Sequence, residues 1–320
     1  MSGEADEVCA SCGVAAVDEI KLKDCDGGCD VVKYCSDVCQ NDHREQHEEE
    51  CRKSRAELRD RDLFTLPESS HLGECPLCCL PLPIDMSKAT LMSCCCKLIC
   101  NGCEYANAKR EKEACLKYRC AFCREPSPKT DEEANKRLMK RIKKNDPAAM
   151  REMGKKCDKE GDYETAFKYY TKAAVLGDAD AQYSLSILYR DGEGVEKDER
   201  KEVYHLEEAA IGGHPAARHN LGIEEYHNGR FERAAKHFII AAKLEMNDSL
   251  KGLKKLYANG HVSKKEYAAA LRAYQAAVEA TKSLQRDVAE AYYEAMDKAQ
   301  RNQRILMILS ERKKKQFEIC

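Results

Sequence analysis

The sequence predicts a mostly α-helical chain: two small cysteine-built modules, then an α-helical solenoid of about four helix-pair repeats with a C-terminal capping helix. Three observations carry that expectation. Eighteen of the 20 cysteines lie before residue 124, in two dense blocks. An Ala-x3-Leu element then recurs at intervals of 32, 36 and 32 residues. Charged residues make up 34% of the chain and aromatics 7%, with no Trp, a composition that suits solvent-laced helices.

A chain of 320 residues accommodates two or three domains. Its formal net charge of -2 supplies no global field for nucleic acid. Met1 to Glu7 is polar and acidic rather than an apolar leader, and no apolar run approaches the length of a membrane span. The expected location is therefore the cytoplasm, the nucleus or both, not a membrane or the cell exterior. Thiols stay reduced there, so clustered cysteines read as metal ligands rather than disulfides.

After an N-terminal tail, residues 1–8, the first block reads Cys9-x2-Cys12, Cys25-x3-Cys29, Cys35-x3-Cys39 and His47-x3-Cys51. Eight ligands suffice for two tetrahedral zinc ions. So little apolar content could not fold the segment without a metal. Cys9-x2-Cys12 can bring two thiolates to one ion across a tight turn. Cys35 and Cys39 suit the first turn of a short helix, and His47 and Cys51 can share a helix face. His43 competes with His47 as the imidazole ligand.

Tyr34-Cys35-Ser36-x2-Cys39-Gln40 and His43-x3-His47-x3-Cys51, in this ligand order, resemble the MYND zinc finger over residues 9–51. The resemblance implies His47 as the ligand and a cross-braced pairing. Cys9, Cys12, Cys35 and Cys39 would hold one zinc; Cys25, Cys29, His47 and Cys51 would hold the other. It also implies docking of short, often proline-containing peptides. Arg44 stands where the family often has Trp, Glu48 where it often has Lys, and the Cys25–Cys29 gap is one residue wider than usual.

Residues 52–74 read as a charged linker. Its Arg52–Asp62 run suits a solvated helical extension, and Leu63–Gly73 suits a loop. The second block runs Cys75-x2-Cys78, Cys94-Cys95-Cys96, Cys100-x2-Cys103 and, after a helical stretch from Glu104 to about Tyr118, Cys120-x2-Cys123-Arg124. Three Cys-x2-Cys pairs indicate zinc.

This layout resembles a RING-type finger over residues 75–126, with the family's usual His missing. Two of Cys94, Cys95 and Cys96 then take its place. Cys94 with Cys96 reproduces a one-residue gap. Cys94 with Cys95 fits a Cys-Cys-x-Lys pattern of similar algal and diatom proteins and is the preferred pair. By cross-brace analogy Cys75, Cys78, Cys100 and Cys103 share one ion, and the chosen pair shares another with Cys120 and Cys123. The two modules would then carry four zinc ions.

RING-type resemblance further implies contact with a ubiquitin-conjugating enzyme. Leu77, between the first two ligands, would help to seat that enzyme; Arg124, just after the last ligand, would grip it and its ubiquitin. The competing roles are packing of the zinc core for Leu77 and an ordinary surface cation for Arg124. Ala121 replaces the Pro usual after the seventh ligand, and Cys79 and Cys115 read as spare thiols.

Residues 127–145 read as a charged helical connector, solvated rather than bound to nucleic acid. The repeats occupy residues 146–281. Their first helices carry Ala149/Met153, Ala181/Leu185, Ala217/Leu221 and Ser249/Leu253, each followed by Gly161, Gly192, Gly229 or Gly260. The second helices carry apolar stripes such as Tyr163, Ala166, Tyr170, Ala173 and Phe231, Ala234, Phe238, Ala241. One copy cannot cover its own apolar face, so the copies stack. Leu221-Gly222, Gly192-x-Gly194-Val195 and the Ala173-Ala174 and Ala209-Ala210 ends resemble Sel-one-like repeats of the tetratricopeptide superfamily. That resemblance implies a concave surface for protein partners.

Residues 282–320 complete the chain as a capping helix and basic tail. Leu284, Val288, Ala291 or Tyr292, and Ala295 share one helix face, which suits a cover for the last repeat. Arg312 to Lys315 is a basic cluster. The sequence holds no nucleophile triad, phosphate loop or paired carboxylates placed for acid–base work, so no catalytic residue is assigned. Two functions follow: a zinc-built adaptor joining protein partners, or a RING-type ubiquitin ligase whose MYND finger and repeats select substrates.

Overall fold

The structure is a computed structural model that describes residues 8–14 and 21–298. The tail at Met1 to Glu7, the basic cluster Arg312 to Lys315 and the rest of the chain beyond 298 lie outside the described residues. The chain divides into two compact units, residues 1–65 and 66–320.

In the first unit, strands β1 (Lys23–Asp24) and β2 (Lys33–Tyr34) pair antiparallel ahead of helix α1 (Asp37–Phe64). Ser36 caps α1 by accepting a hydrogen bond from the Cys39 N–H, which fixes a cysteine in its first turn. α1 runs without a break for 28 residues, so the Arg52–Asp62 run continues the helix that carries Cys39, His47 and Cys51. Charged side chains at helical spacing keep its exposed length soluble.

The second unit begins with a cysteine-rich module. Strands β3 (Ala89–Met92) and β4 (Lys97–Cys100) form a hairpin with Ala89 opposite Cys100, and helix α2 (Asn101–Glu113) follows at once. The core is small: Leu82, Met92 and Ile99 are buried among Cys75, Cys100, Cys103 and Cys120. Helix α3 (Asp131–Ile142) leads into four antiparallel pairs: α4 (Pro147–Lys159) with α5 (Tyr163–Val175), α6 (Ala179–Asp191) with α7 (Glu199–Ile211), α8 (Pro215–His227) with α9 (Phe231–Lys243), and α10 (Asn247–Ala258) with α11 (Lys264–Ala280). Asp146, Asp162, Asp178 and Asp198 cap helices, and Ser263 and Glu266 form a capping box on α11. Gly192 ends α6 at φ 75°, a left-handed turn that favours glycine.

The aromatic stripes are core. Tyr170 and Phe238 are buried, each against a glycine of a neighbouring helix: Gly154 for Tyr170, and both Gly222 and Gly252 for Phe238. In the fourth pair only Ala270 of α11 is buried, so the packing thins at that end.

A last helix, α12, covers residues 284–298. The face expected to be buried is not: Leu284 is 80% exposed, and Val288 and Tyr292 are exposed as well. The docked face holds Gln285, Arg286, Ala289 and Tyr293, and it makes polar bonds to the cysteine-rich module, while Arg286 also donates to Thr281 O at 2.6 Å. Gln285 donates to Gly102 O at 2.9 Å, Arg286 to Pro81 O at 2.7 Å and Leu80 O at 3.2 Å, and Tyr293 to Glu104. Tyr105 of α2 also packs on Tyr292, with ring centroids 4.8 Å apart, so polar anchors and one aromatic contact set the face. Gly102 allows the approach, since a Cβ there would stand 3.1 Å from the Arg286 backbone.

The module is also tied to the solenoid on another side. His71 Nε2 lies 3.1 Å and His214 Nε2 3.4 Å from Asp180 Oδ1, and Arg151 Nη1 lies 3.1 Å from Asp180 Oδ2. His214 accepts the Ala217 N–H at Nδ1, which leaves its proton on Nε2, facing the carboxylate. The cluster is thus a hydrogen-bonded clamp rather than a set of vacant metal donors.

Candidate metal centres

Among the described residues four sets of four donors converge. Cys9, Cys12, Cys35 and Cys39 form one, and Cys25, Cys29, His47 and Cys51 the second. In the second unit Cys75, Cys78, Cys100 and Cys103 gather, as do Cys94, Cys95, Cys120 and Cys123. Within each set the ligand atoms all lie within 4.8 Å of one another. Each module is cross-braced: its first and third pairs meet, and its second and fourth pairs meet.

The spacing suits zinc. Tetrahedral thiolates at about 2.3 Å from an ion stand about 3.8 Å apart. The sulfurs of Cys12 and Cys35 are 3.5 Å apart, Cys25 and Cys51 3.9 Å, Cys78 and Cys100 3.8 Å, and Cys95 and Cys120 3.8 Å. Backbone N–H groups support the sulfurs, Gly27 to Cys25 at 3.3 Å and Phe122 to Cys120 at 3.4 Å. The charge pattern also calls for a cation. Hydrogen bonding from Cys100 holds the Cys75 thiol well below its ordinary pKa, while burial pushes the Cys94, Cys95 and Cys103 thiols up. Four adjacent thiolates cannot coexist without a counter-ion, and a divalent metal reverses that penalty.

His47 Nε2 lies 3.0 Å from Cys29 Sγ, and Glu50 stands 3.6 Å from its Nδ1, where a carboxylate can orient a metal-bound imidazole. Glu50 follows His47 by three residues on α1, so helical spacing alone could have flagged it. His43 is elsewhere: its Nδ1 meets the Tyr34 hydroxyl at 3.0 Å. Cys94 and Cys95 stand with Cys120 and Cys123, whereas Cys96 is buried apart from them at φ 53°, closing the hairpin turn through its N–H to Met92 O.

Turns at the knuckles share one geometry. Gly13, Cys79 and Arg124 each follow a Cys-x2-Cys pair with φ of 74°, 57° and 65°, and each N–H returns to the carbonyl of the first cysteine. Cys79 and Arg124 therefore hold left-handed turn positions. Arg124 is also anchored. Its guanidinium pairs with the buried Glu111 and donates to Asn107 Oδ1 at 2.7 Å. Arg124 in turn holds the Glu111 carboxyl below its usual pKa. Leu77 is 41% exposed on the opposite knuckle. Nothing in the sequence pattern pointed to Glu111, Asn107 or Arg286, whose partners are distant in the chain. Arg286 reaches the Cys78 sulfur at 3.5 Å.

Residues 9–51 match the family model of the MYND finger, and residues 147–178, 179–214 and 215–246 match that of the Sel1 repeat. The chain carries a MYND finger and three Sel1 repeats. The fourth helix pair lies beyond the matched residues. No curated protein matches the chain's sequence. Among solved structures, a Sel1 repeat protein from Oxalobacter formigenes is similar at 26% identity and TM-score 0.42, covering 53% of this chain and 50% of that one. A protective antigen of uropathogenic Escherichia coli strains displaying an SLR fold is similar at 24% identity and TM-score 0.37, covering 53% of this chain and 37% of that one. The chain thus spans half or less of those proteins' length. The MYND finger and the cysteine clusters point to zinc binding, and a MYND finger with Sel1 repeats fits a zinc-binding protein-interaction scaffold. Among the described residues no helix is long and apolar enough to cross a membrane.

Proposed function

We propose that the chain is a non-enzymatic adaptor: a MYND finger that docks short peptides and a variant RING-type finger, each built on two zinc ions, joined to a Sel1 platform that engages further protein partners. The supporting observation is that each donor set is complete. Four protein ligands close a tetrahedral zinc site, whereas catalytic zinc keeps a position open for water or substrate. Bound zinc would supply folding energy and a fixed surface rather than a Lewis acid. The ligands are Cys9, Cys12, Cys35 and Cys39; Cys25, Cys29, His47 and Cys51; Cys75, Cys78, Cys100 and Cys103; and Cys94, Cys95, Cys120 and Cys123.

One observation favours a ubiquitin ligase, the exposure of Leu77 where a conjugating enzyme would sit. Another opposes it: Arg124, the residue that would grip enzyme and ubiquitin, is committed to Glu111 and Asn107. A ubiquitin-transfer assay with a panel of conjugating enzymes tests the choice. The adaptor reading expects no chain formation; chains that vanish in Leu77→Ala protein would overturn it. Arg124→Ala is a poorer probe, because it also removes the main partner of buried Glu111.

A further inference from the structure

Resting on the peptide-docking reading of the MYND finger, we infer that its groove selects an acidic peptide, one carrying two or three carboxylates over about five extended residues. A 550 Å³ concavity opens beside the His47 set and is lined by α1 and by the Cys25–Gly27 turn. Arg44, Arg52 and Arg55 line it from one face of α1, as spacings of eight and three residues allow. All three are exposed, and among the described residues none has a hydrogen bond or ion pair. Elsewhere on the same unit some cations are paired, as Lys23 is with Asp37 and Arg61 with Asp62. The groove therefore presents three uncommitted guanidinium forks, groups that recognise carboxylates bidentately. Asp26 and Glu48 also line it, and a zinc-loaded Cys25, Cys29, His47 and Cys51 set carries one net negative charge, so selection rests on the three guanidinium forks rather than on net charge.

Geometry sets the ligand's size. Arg44 to Arg55 spans about 16 Å of helix, which about five residues of extended peptide match. The rest of α1 argues for a peptide over a nucleic acid. The helix carries nine acidic residues against six basic ones, so a long polyanion would meet repulsion on either side of the groove. A short peptide can place its carboxylates on the arginines alone.

The test uses the full zinc-loaded chain and three fluorescein-labelled peptides that share one proline-containing framework and differ in bearing glutamate, glutamine or lysine at the positions beside the proline. Fluorescence anisotropy should show the glutamate peptide binding about tenfold or more tighter than the lysine peptide, with affinity falling as salt rises. Arg44→Ala/Arg52→Ala/Arg55→Ala should remove that preference while native mass shows unchanged zinc content. Equal binding of all three peptides, or an unchanged preference in the triple variant, would overturn the inference and leave peptide docking standing. Binding of none would remove the docking reading and the inference with it. Tighter binding of a single-stranded oligonucleotide than of the glutamate peptide would assign the groove to nucleic acid instead.

Discussion

Gly222→Ala is expected to destabilise the solenoid, against the usual gain from alanine in a helix. An added Cβ at 222 would lie 2.7 Å from Phe238 Cε1 and 2.8 Å from Cδ1. Ordinary carbon contacts sit at about 3.5–4.0 Å, so the overlap is close to an ångström. The ring cannot step aside, because a Cβ built on Gly252 would stand 2.7 Å from its other edge and Leu253 and Leu256 are fully packed nearby. Overpacking of this kind costs about 1–3 kcal/mol. Replacing glycine by alanine in a helix returns about 0.8–1.0 kcal/mol. The net effect is a loss of about 1 kcal/mol. In a Phe238→Leu background the ring is gone, and the same substitution should become stabilising, so the cycle reverses sign. Urea unfolding followed by far-ultraviolet circular dichroism reads both midpoints. A raised midpoint for Gly222→Ala alone, or the same shift in both backgrounds, would refute glycine–aromatic stacking as the layer contact.

Three further outcomes follow. Cys95→Ser should lose one zinc by native mass spectrometry and Cys96→Ser none, since only Cys95 stands with Cys94, Cys120 and Cys123. Arg286→Ala should loosen α12, raising hydrogen exchange in residues 284–298 at least as much as in the module, because it removes bonds to Leu80 and Pro81; unchanged exchange would contradict the anchor. Asp180→Asn should cost about 2 kcal/mol near neutral pH, the worth of a hydrogen bond to a charged group. His214 and His71 hydrogen bonds and the Arg151 charge outweigh burial and hold the Asp180 carboxyl far below its usual range. A depressed folded-state pKa gives stability that is present above the unfolded value and lost below it. The wild-type advantage over Asp180→Asn should therefore be present above about pH 4 and shrink below it, with acid release of zinc common to both proteins.

The grouping of donor side chains was legible because spacing carries geometry: Cys-x2-Cys fits a knuckle, and His47 and Cys51 fall on one turn of α1. Repeat boundaries were legible because each copy restates the same Gly and aromatic positions. Three adjacent thiols at 94–96 could not be sorted from spacing; the left-handed turn at Cys96 decides their directions. The docking of α12 was misread for a different reason. Its polar contacts reach back to Gly102 and Pro81 and Tyr105 packs on Tyr292, so the apolar residues Leu284 and Val288 do not mark the docked face. Arg124 read as a surface cation or a ubiquitin contact because Glu111, its partner, lies thirteen residues away on α2.

The claim that metal builds both recognition modules is tested most directly by the mass of the intact chain under non-denaturing conditions, before and after chelation. The account predicts four zinc ions per chain, with loss of folded structure in the cysteine-rich segments once they are removed. A chain whose segments before residue 124 stay folded without metal, or that binds fewer than four ions at saturation, would contradict it.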